Sequence, residues 1–183
     1  FVLEQLLQQG ADGWVVTIWD PAAAQQCLQA GIGGHVKLAV GGNTDDEHGT
    51  TQSISGIVGT LNDGAYEEFE RRHGGGRRHA QGLTAVVRVP CPNGNGLLVL
   101  NSERQSPNSI HQITSVGIVP QQQKILAAKG AIAPRAAYEP VSPHLIEVDS
   151  GGACWIGRGP EAYQRARQNL YEWTVTSTTG EQR

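Results

Sequence analysis

The residues best placed to do chemistry are the polar ones that directly follow apolar, β-rich runs. Asp20 follows the run Trp14–Trp19, and Ser102, Glu103 and Arg104 follow Leu97–Leu100. Lys129 follows Lys124–Ala128. In open α/β sheets, ligands bind beyond the carboxyl ends of the strands, so these positions outrank polar residues elsewhere. A guanidinium or ammonium there can pair with a carboxylate or another anion. The competing reading is structural, with Glu103 and Arg104 as a salt bridge and Lys129 as an ordinary surface cation.

Other arrangements carry less. Gly31-Ile32-Gly33-Gly34 contains glycines suited to a phosphate loop. Such a loop must follow a strand and precede a helix, so that the helix N-terminus faces the anion. Here the glycines follow a helix and precede a strand, which makes them a helix-ending turn. Ser150-Gly151-Gly152 follows an apolar run, but no helix starts directly after it, and a tight turn is favoured. Asp45-Asp46-Glu47-His48 has metal-compatible side chains, yet consecutive residues rarely converge on one ion. His73 and His79 flank a basic, glycine-rich stretch without the interleaved aromatics that single-strand binding needs. Cys27, Cys91 and Cys154 are odd in number and widely spaced, with no CxxC pair. They read as reduced thiols, with Cys154 as a possible but disfavoured nucleophile.

Composition narrows the function class. The 183 residues carry a net charge of -3, so no global basic field draws the chain to nucleic acid. Apolar residues make up 38%, and no apolar run reaches membrane-spanning length. The chain contains no Met and opens on Phe1-Val2-Leu3, inside a helical pattern that has no N-cap residue ahead of it. The expectation is a piece of a longer protein.

The elements that must position these residues follow from periodicity and punctuation. Apolar residues at 1, 2, 3, 6 and 7 predict the last turns of a helix, ended by Gly10. Trp14–Trp19 predicts a strand. Asp20-Pro21 then supplies an N-cap and a proline at the first helical position, and the helix runs to Ala30. His35–Val40 predicts the next strand, and strand–helix–strand predicts a parallel pair with a right-handed crossover. Ser53–Leu61 is a strand, and residues 65–82 are a mobile basic loop. Thr84–Val89 and Leu97–Leu100 predict a β-hairpin. Short helices are predicted over Ser109–Ser115 and Ala131–Tyr138, and strands over Lys124–Ala128 and Leu145–Val148. Tyr163, Ala166, Leu170 and Trp173 form an amphipathic stripe predicting a helix over Glu161–Trp173. The fold class that follows is α/β, a mixed but mostly parallel sheet with flanking helices and one hairpin. One domain spans residues 1–173, and 174–183 form a flexible tail.

The order of these segments resembles the C-terminal domain of the microcystinase C (microcystin-LR degradation protein) family of zinc metallopeptidases. Residues 14–42 match its strand, "DP" with an alanine-rich helix, "AGxG" turn and glycine-ended strand. GLTAVV at 82–87, LLVLNSERQSP at 97–107 and the Gly117-Ile118 turn with Pro120 follow in the family's order. KILAAKGAIAPRAAYEP at 124–140 and LIEVDSGGA at 145–153 complete the match, which covers roughly residues 1–155. Two departures stand out. Ala133-Pro134 replaces a His-Phe that many members carry, so no histidine role transfers there. The family's proline-rich closing segment is absent from Trp155 onward.

The resemblance implies a two-domain parent, a zinc-dependent hydrolase acting on an amide bond of a small peptide. The catalytic zinc is implied for the N-terminal domain, and no cofactor or metal ligand is expected in this chain. Its role is then to complete the substrate cleft of that partner domain. The ligand-facing edge on this reading holds Asp20, Ser102, Glu103, Arg104, Lys129 and Arg135. The alternative is a structural or small-molecule-binding module without activity of its own. The expected setting is cytoplasmic, with no nucleic-acid or membrane partner and oligomer formation open.

Overall fold

The computed structural model describes residues 1–42, 44, 49–72, 74–130, 132–142 and 144–150. The expected helix Glu161–Trp173, the tail 174–183, Cys154, the Asp45–His48 cluster, His73 and the Gly151-Gly152 turn lie outside these residues.

Among the described residues, four short α-helices, α1 (Val2–Gln8), α2 (Pro21–Ala30), α3 (His111–Thr114) and α4 (Arg135–Tyr138), surround a six-stranded sheet. In chain order its strands are β1 (Trp14–Trp19), β2 (His35–Val40), β3 (Gln52–Asn62), β6 (Thr84–Cys91), β7 (Gly94–Asn101) and β8 (Ile125–Ala127). A separate two-stranded sheet is formed by β4 (Ala65–Glu67) and β5 (Arg78–Ala80). The large sheet runs β2-β3-β6-β7-β1-β8. Its β2·β3, β3·β6 and β6·β7 pairs are antiparallel, and β1·β7 and β1·β8 are parallel.

The α/β class, the mixed sheet and the β6–β7 hairpin agree with the sequence reading. The predominance of parallel pairing does not. The β1–α2–β2 segment is also no crossover between neighbours, because β7, β6 and β3 lie between β1 and β2. A strand–helix–strand pattern specifies the elements, but pairing depends on competition for the edges of β1. There β7 and β8 win, registering Val15 against Leu97 and Leu126.

Side-chain alternation gives the sheet two apolar faces. Trp14 and Val16 on β1, with Leu98 and Leu100 on β7, share one core with Leu3 of α1 and Ala23, Ala24 and Cys27 of α2. Val15 and Val99 point to the other face, where Ile113, Val116, Ala137 and Tyr138 cover them. Both faces are therefore buried, which explains the continuous apolar runs of β1 and β7. The small residues of α2 let it sit close to the sheet.

Three further expectations change. Residues 65–82 are not simply a loop, because they include β4 and β5, paired from Ala65↔Ala80 to Glu67↔Arg78. β8 is only three residues long, with Ile125 38% exposed, rather than a buried strand. Leu145–Val148 is not a strand but irregular and exposed chain. A β-rich run becomes a strand only when its amides and carbonyls find a ladder. Among the described residues, no helix is long and apolar enough to cross a membrane.

Candidate functional site at the end of β1

Asp20 closes β1 and opens α2. Its Oδ1 accepts a hydrogen bond from the Ala23 amide at 3.0 Å, the N-cap geometry that Asp-Pro predicts. Its Oδ2 accepts from the Gly41 amide at 3.2 Å. The second bond brings the end of β2 to the end of β1, although the two strands are not neighbours in the sheet. Asp20 is buried, at 2% exposure, and its role is to hold two walls together.

Those walls frame an open groove of about 310 Å³. Val16 and Ile18 of β1 and Val40 of β2 are among its apolar lining residues, with Val16 and Val40 almost fully buried. The first turn of α1 adds Phe1, Val2 and Glu4. Gly41 and Gly42 form the turn leaving β2, with Thr50 and Gln52 facing it across the start of β3. Gly42 has φ +67, and a Cβ there would run into the Thr51 amide nitrogen at 2.6 Å. Only glycine fits this wall without displacing backbone.

Lys129, two residues beyond β8, also lines the groove. It is exposed and has no ion-pair partner among the described residues. The groove is thus lined by apolar residues together with two residues of opposite charge, Glu4 and Lys129.

The remaining predicted residues do not gather there. Ser102 and Arg104 meet Trp19, whose ring faces away from the Val16 side of β1. The Trp19 indole Nε1 donates to the Ser102 carbonyl at 3.0 Å, and the Arg104 guanidinium lies 4.1 Å from the ring centroid. Glu103 makes backbone contacts, donating its amide to the Gln81 carbonyl and accepting from Asn101 Nδ2. No Glu103–Arg104 salt bridge forms. Arg135 starts α4, which packs on the opposite face from the groove, and it pairs with Glu139 and Glu147.

The sequence reading missed a buried polar cluster beneath β4 and β5. Glu68 is 3% exposed, and its Oε1 accepts from the Glu70 amide at 2.8 Å. Its Oε2 faces Arg72 Nε at 3.6 Å, and Arg72 Nη1 donates to the Ala136 carbonyl. Burial raises the Glu68 pKa, but hydrogen bonds from Ser109 and the Glu70 amide, with Arg72 and His111 nearby, bring it below the usual value. Nothing in the charged string Glu67–Arg72 marks one carboxylate as buried, because that depends on α3 and α4 from later in the chain. The groove lining of Phe1–Glu4, Thr50 and Gln52 was missed because it forms only where α1 and the start of β3 meet the ends of β1 and β2.

Among the described residues, no three His, Cys, Asp or Glu side chains come together as a metal-ligand set. The described residues therefore do not fit a zinc site.

This architecture has relatives. The sequence profile described as "MlrC C-terminus" matches residues 1–156. The chain belongs to this family. No curated protein matches the chain. Among solved structures, it is similar to the crystal structure named "Putative metallopeptidase" from Mesorhizobium sp. BNC1, with a TM-score of 0.66 at 17% identity. The alignment covers 76% of this chain and 28% of that one, so the chain corresponds to well under half of that protein's length. At this identity the likeness establishes a shared fold.

Proposed function

We propose that this chain is the non-metal, C-terminal domain of a zinc-dependent hydrolase of the microcystinase C type. It completes the substrate cleft of an N-terminal metal-binding domain, which acts on an amide bond of a small peptide. The observation that carries this reading is the groove at the end of β1, in a chain belonging to the MlrC C-terminus family. The name of the Mesorhizobium structure and the partial coverage of its chain support a hydrolytic, multidomain parent. The residues of this chain bind and orient, and the metal belongs to the partner domain. Lys129 receives a negatively charged part of the substrate, Val16, Ile18 and Val40 exclude water beside it, and Asp20 holds the Gly41 wall in position. Cys27 and Cys91 are free, which supports a reducing, cytoplasmic setting.

The geometry also favours a structural role for part of the edge. The Arg104–Trp19 stack and the Arg135 ion pairs are internal contacts that fit an interdomain surface better than a catalytic one.

The test compares the 183-residue chain with a two-domain parent carrying it. The isolated chain is expected to fold and to show no peptidase activity. In the parent, Lys129→Met is expected to lower turnover per folded molecule, whereas Arg104→Ala lowers stability and leaves turnover per folded molecule unchanged. Stoichiometric zinc and peptidase activity in the 183-residue chain alone would overturn the reading.

A further inference from the structure

We infer that residues 145–148 are a strap that closes on the free edge of β8 as a seventh, parallel strand of the large sheet. The inference concerns the fold of this chain and does not depend on the proposed activity.

The segment has what a strand needs except a ladder. Leu145, Ile146, Glu147 and Val148 are all exposed, Ile146 at 83% and Val148 at 65%. Among the described residues, their amides and carbonyls make no backbone hydrogen bond. Unpaired backbone beside large aliphatic side chains marks a surface that another edge covers. β8 offers such an edge. It ends the sheet, with β1 on one side and no strand on the other among the described residues, and its Ile125 is 38% exposed.

Topology leads the strap to this edge. The chain passes from β7 to β8, across β1, by way of α3, which packs on the face of Val15 and Val99. α4 follows β8 and packs on the same face. A parallel strand laid beyond β8 continues in the same direction over the same face. It therefore repeats the hand of the β7–α3–β8 crossover, and one hand serves nearly all parallel crossovers. Residues 128–144 connect β8 to the strap, more than the dozen or so that such a crossover needs.

Arg135 sets the face. It pairs with Glu147, so an extended strap turns Glu147 toward α4 and turns Ile146 and Val148 toward the opposite face. On β8, Ile125 and Ala127 belong to that opposite face, in register with Trp14 and Val16 of β1. Setting Ile146 beside Ile125 and Val148 beside Ala127 covers exposed aliphatic surface on both strands. A shift of the strap by two residues toward Lys129 leaves Ile125 uncovered. Closure in the first register carries Asp149 and Ser150 to the carboxyl end of β8, beside Lys129. The strap thus decides which polar residues stand at that end of the sheet.

Disulfide trapping in the 183-residue chain tests the inference. Cys91→Ser and Cys154→Ser remove two native thiols, and Cys27 stays because it is fully buried. In that background, Ile125→Cys with Ile146→Cys is compared with Ile125→Cys with Leu145→Cys, each oxidised by glutathione disulfide at low protein concentration. All three positions are exposed, so both variants are expected to fold. Adjacent strands hold their Cα atoms about 4.8 Å apart, within the span of a disulfide. The Ile146 pair is expected to close about tenfold faster than the Leu145 pair, whose second side chain points to the wrong face. Peptide mapping identifies the bridge. Equal rates for the two pairs, a faster Leu145 pair, or bridges only between separate chains would overturn the inference.

Discussion

The Asp20 carboxylate joins the first turn of α2 to the Gly41 amide, tying together the ends of two strands that are not neighbours in the sheet. One residue thus ends β1, starts α2 and fixes the groove. Asp20→Ala is expected to destabilise the chain by about 1–2 kcal/mol for the lost cap, and more where the buried Gly41 amide finds no new partner. Asp20→Asn keeps an acceptor for the cap and should recover a large part of the loss. Urea denaturation of the three proteins measures both effects. Equal stability of wild type and Asp20→Ala would show that the carboxylate holds nothing.

Gly96 lies against the Trp14 ring, and a Cβ there would overlap the indole carbons. Trp14 is fully buried between the sheet and the helices, and its Nε1 donates to the Ala11 carbonyl at 3.0 Å. Gly96→Ala therefore overpacks a core position and is expected to cost about 1–3 kcal/mol. The near-UV circular dichroism of the folded protein should change with it, because the indole must move. A variant with unchanged stability and spectrum would contradict the contact.

Cys27 is fully buried on α2, and burial pushes its thiol up to about 11 from 9.0. Only the thiolate reacts readily. Alkylation at pH 8 followed by peptide mapping should therefore label half-buried Cys91 and leave Cys27 unmodified until the chain unfolds.

The same shift has a stability consequence. Below pH 9 the thiol is protonated in both states, and its burial carries no ionic penalty. Above that pH the unfolded chain loses the proton first. Stability then falls by up to about 1.4 kcal/mol per pH unit from this group, until the folded-state value near 11 is passed. Cys27→Ala should shallow this alkaline limb in denaturation curves between pH 9 and 11.

Glu68 acts on the acid side. Its folded pKa lies below the ordinary 4.5, so the carboxylate contributes stability above that pH. This contribution is lost as pH falls through the lowered value. Glu68→Gln should be less stable than wild type at pH 7 and less sensitive to acid as the pH falls below 4.5. Parallel acid denaturation curves for the two proteins would place the acid sensitivity elsewhere.

Much of the local structure is legible in the sequence. Asp20-Pro21 marked the start of α2, and Gly31 at φ 72 ends it as expected. The run Trp14–Trp19 and the two arms of the hairpin are strands because alternating or continuous apolar β-formers signal locally. Such signals depend on residues a few positions apart, so the sequence determined them. The ordered motifs also pointed to the family whose profile matches residues 1–156.

Tertiary structure alone decided which strands became neighbours, and with that which polar residues share a site. β1 pairs with β7, more than seventy residues later in the chain, rather than with β2. The Asp20–Gly41 bond then brings the end of β2 back to β1. The groove follows from that return, so Lys129 lines it while Arg104 and Arg135 face other parts of the molecule. Leu145–Val148 has the composition of a strand but no ladder among the described residues. Composition and spacing act over a turn of helix or a few residues of strand. The choice among distant edges is a competition between whole surfaces, and no short stretch of sequence contains it.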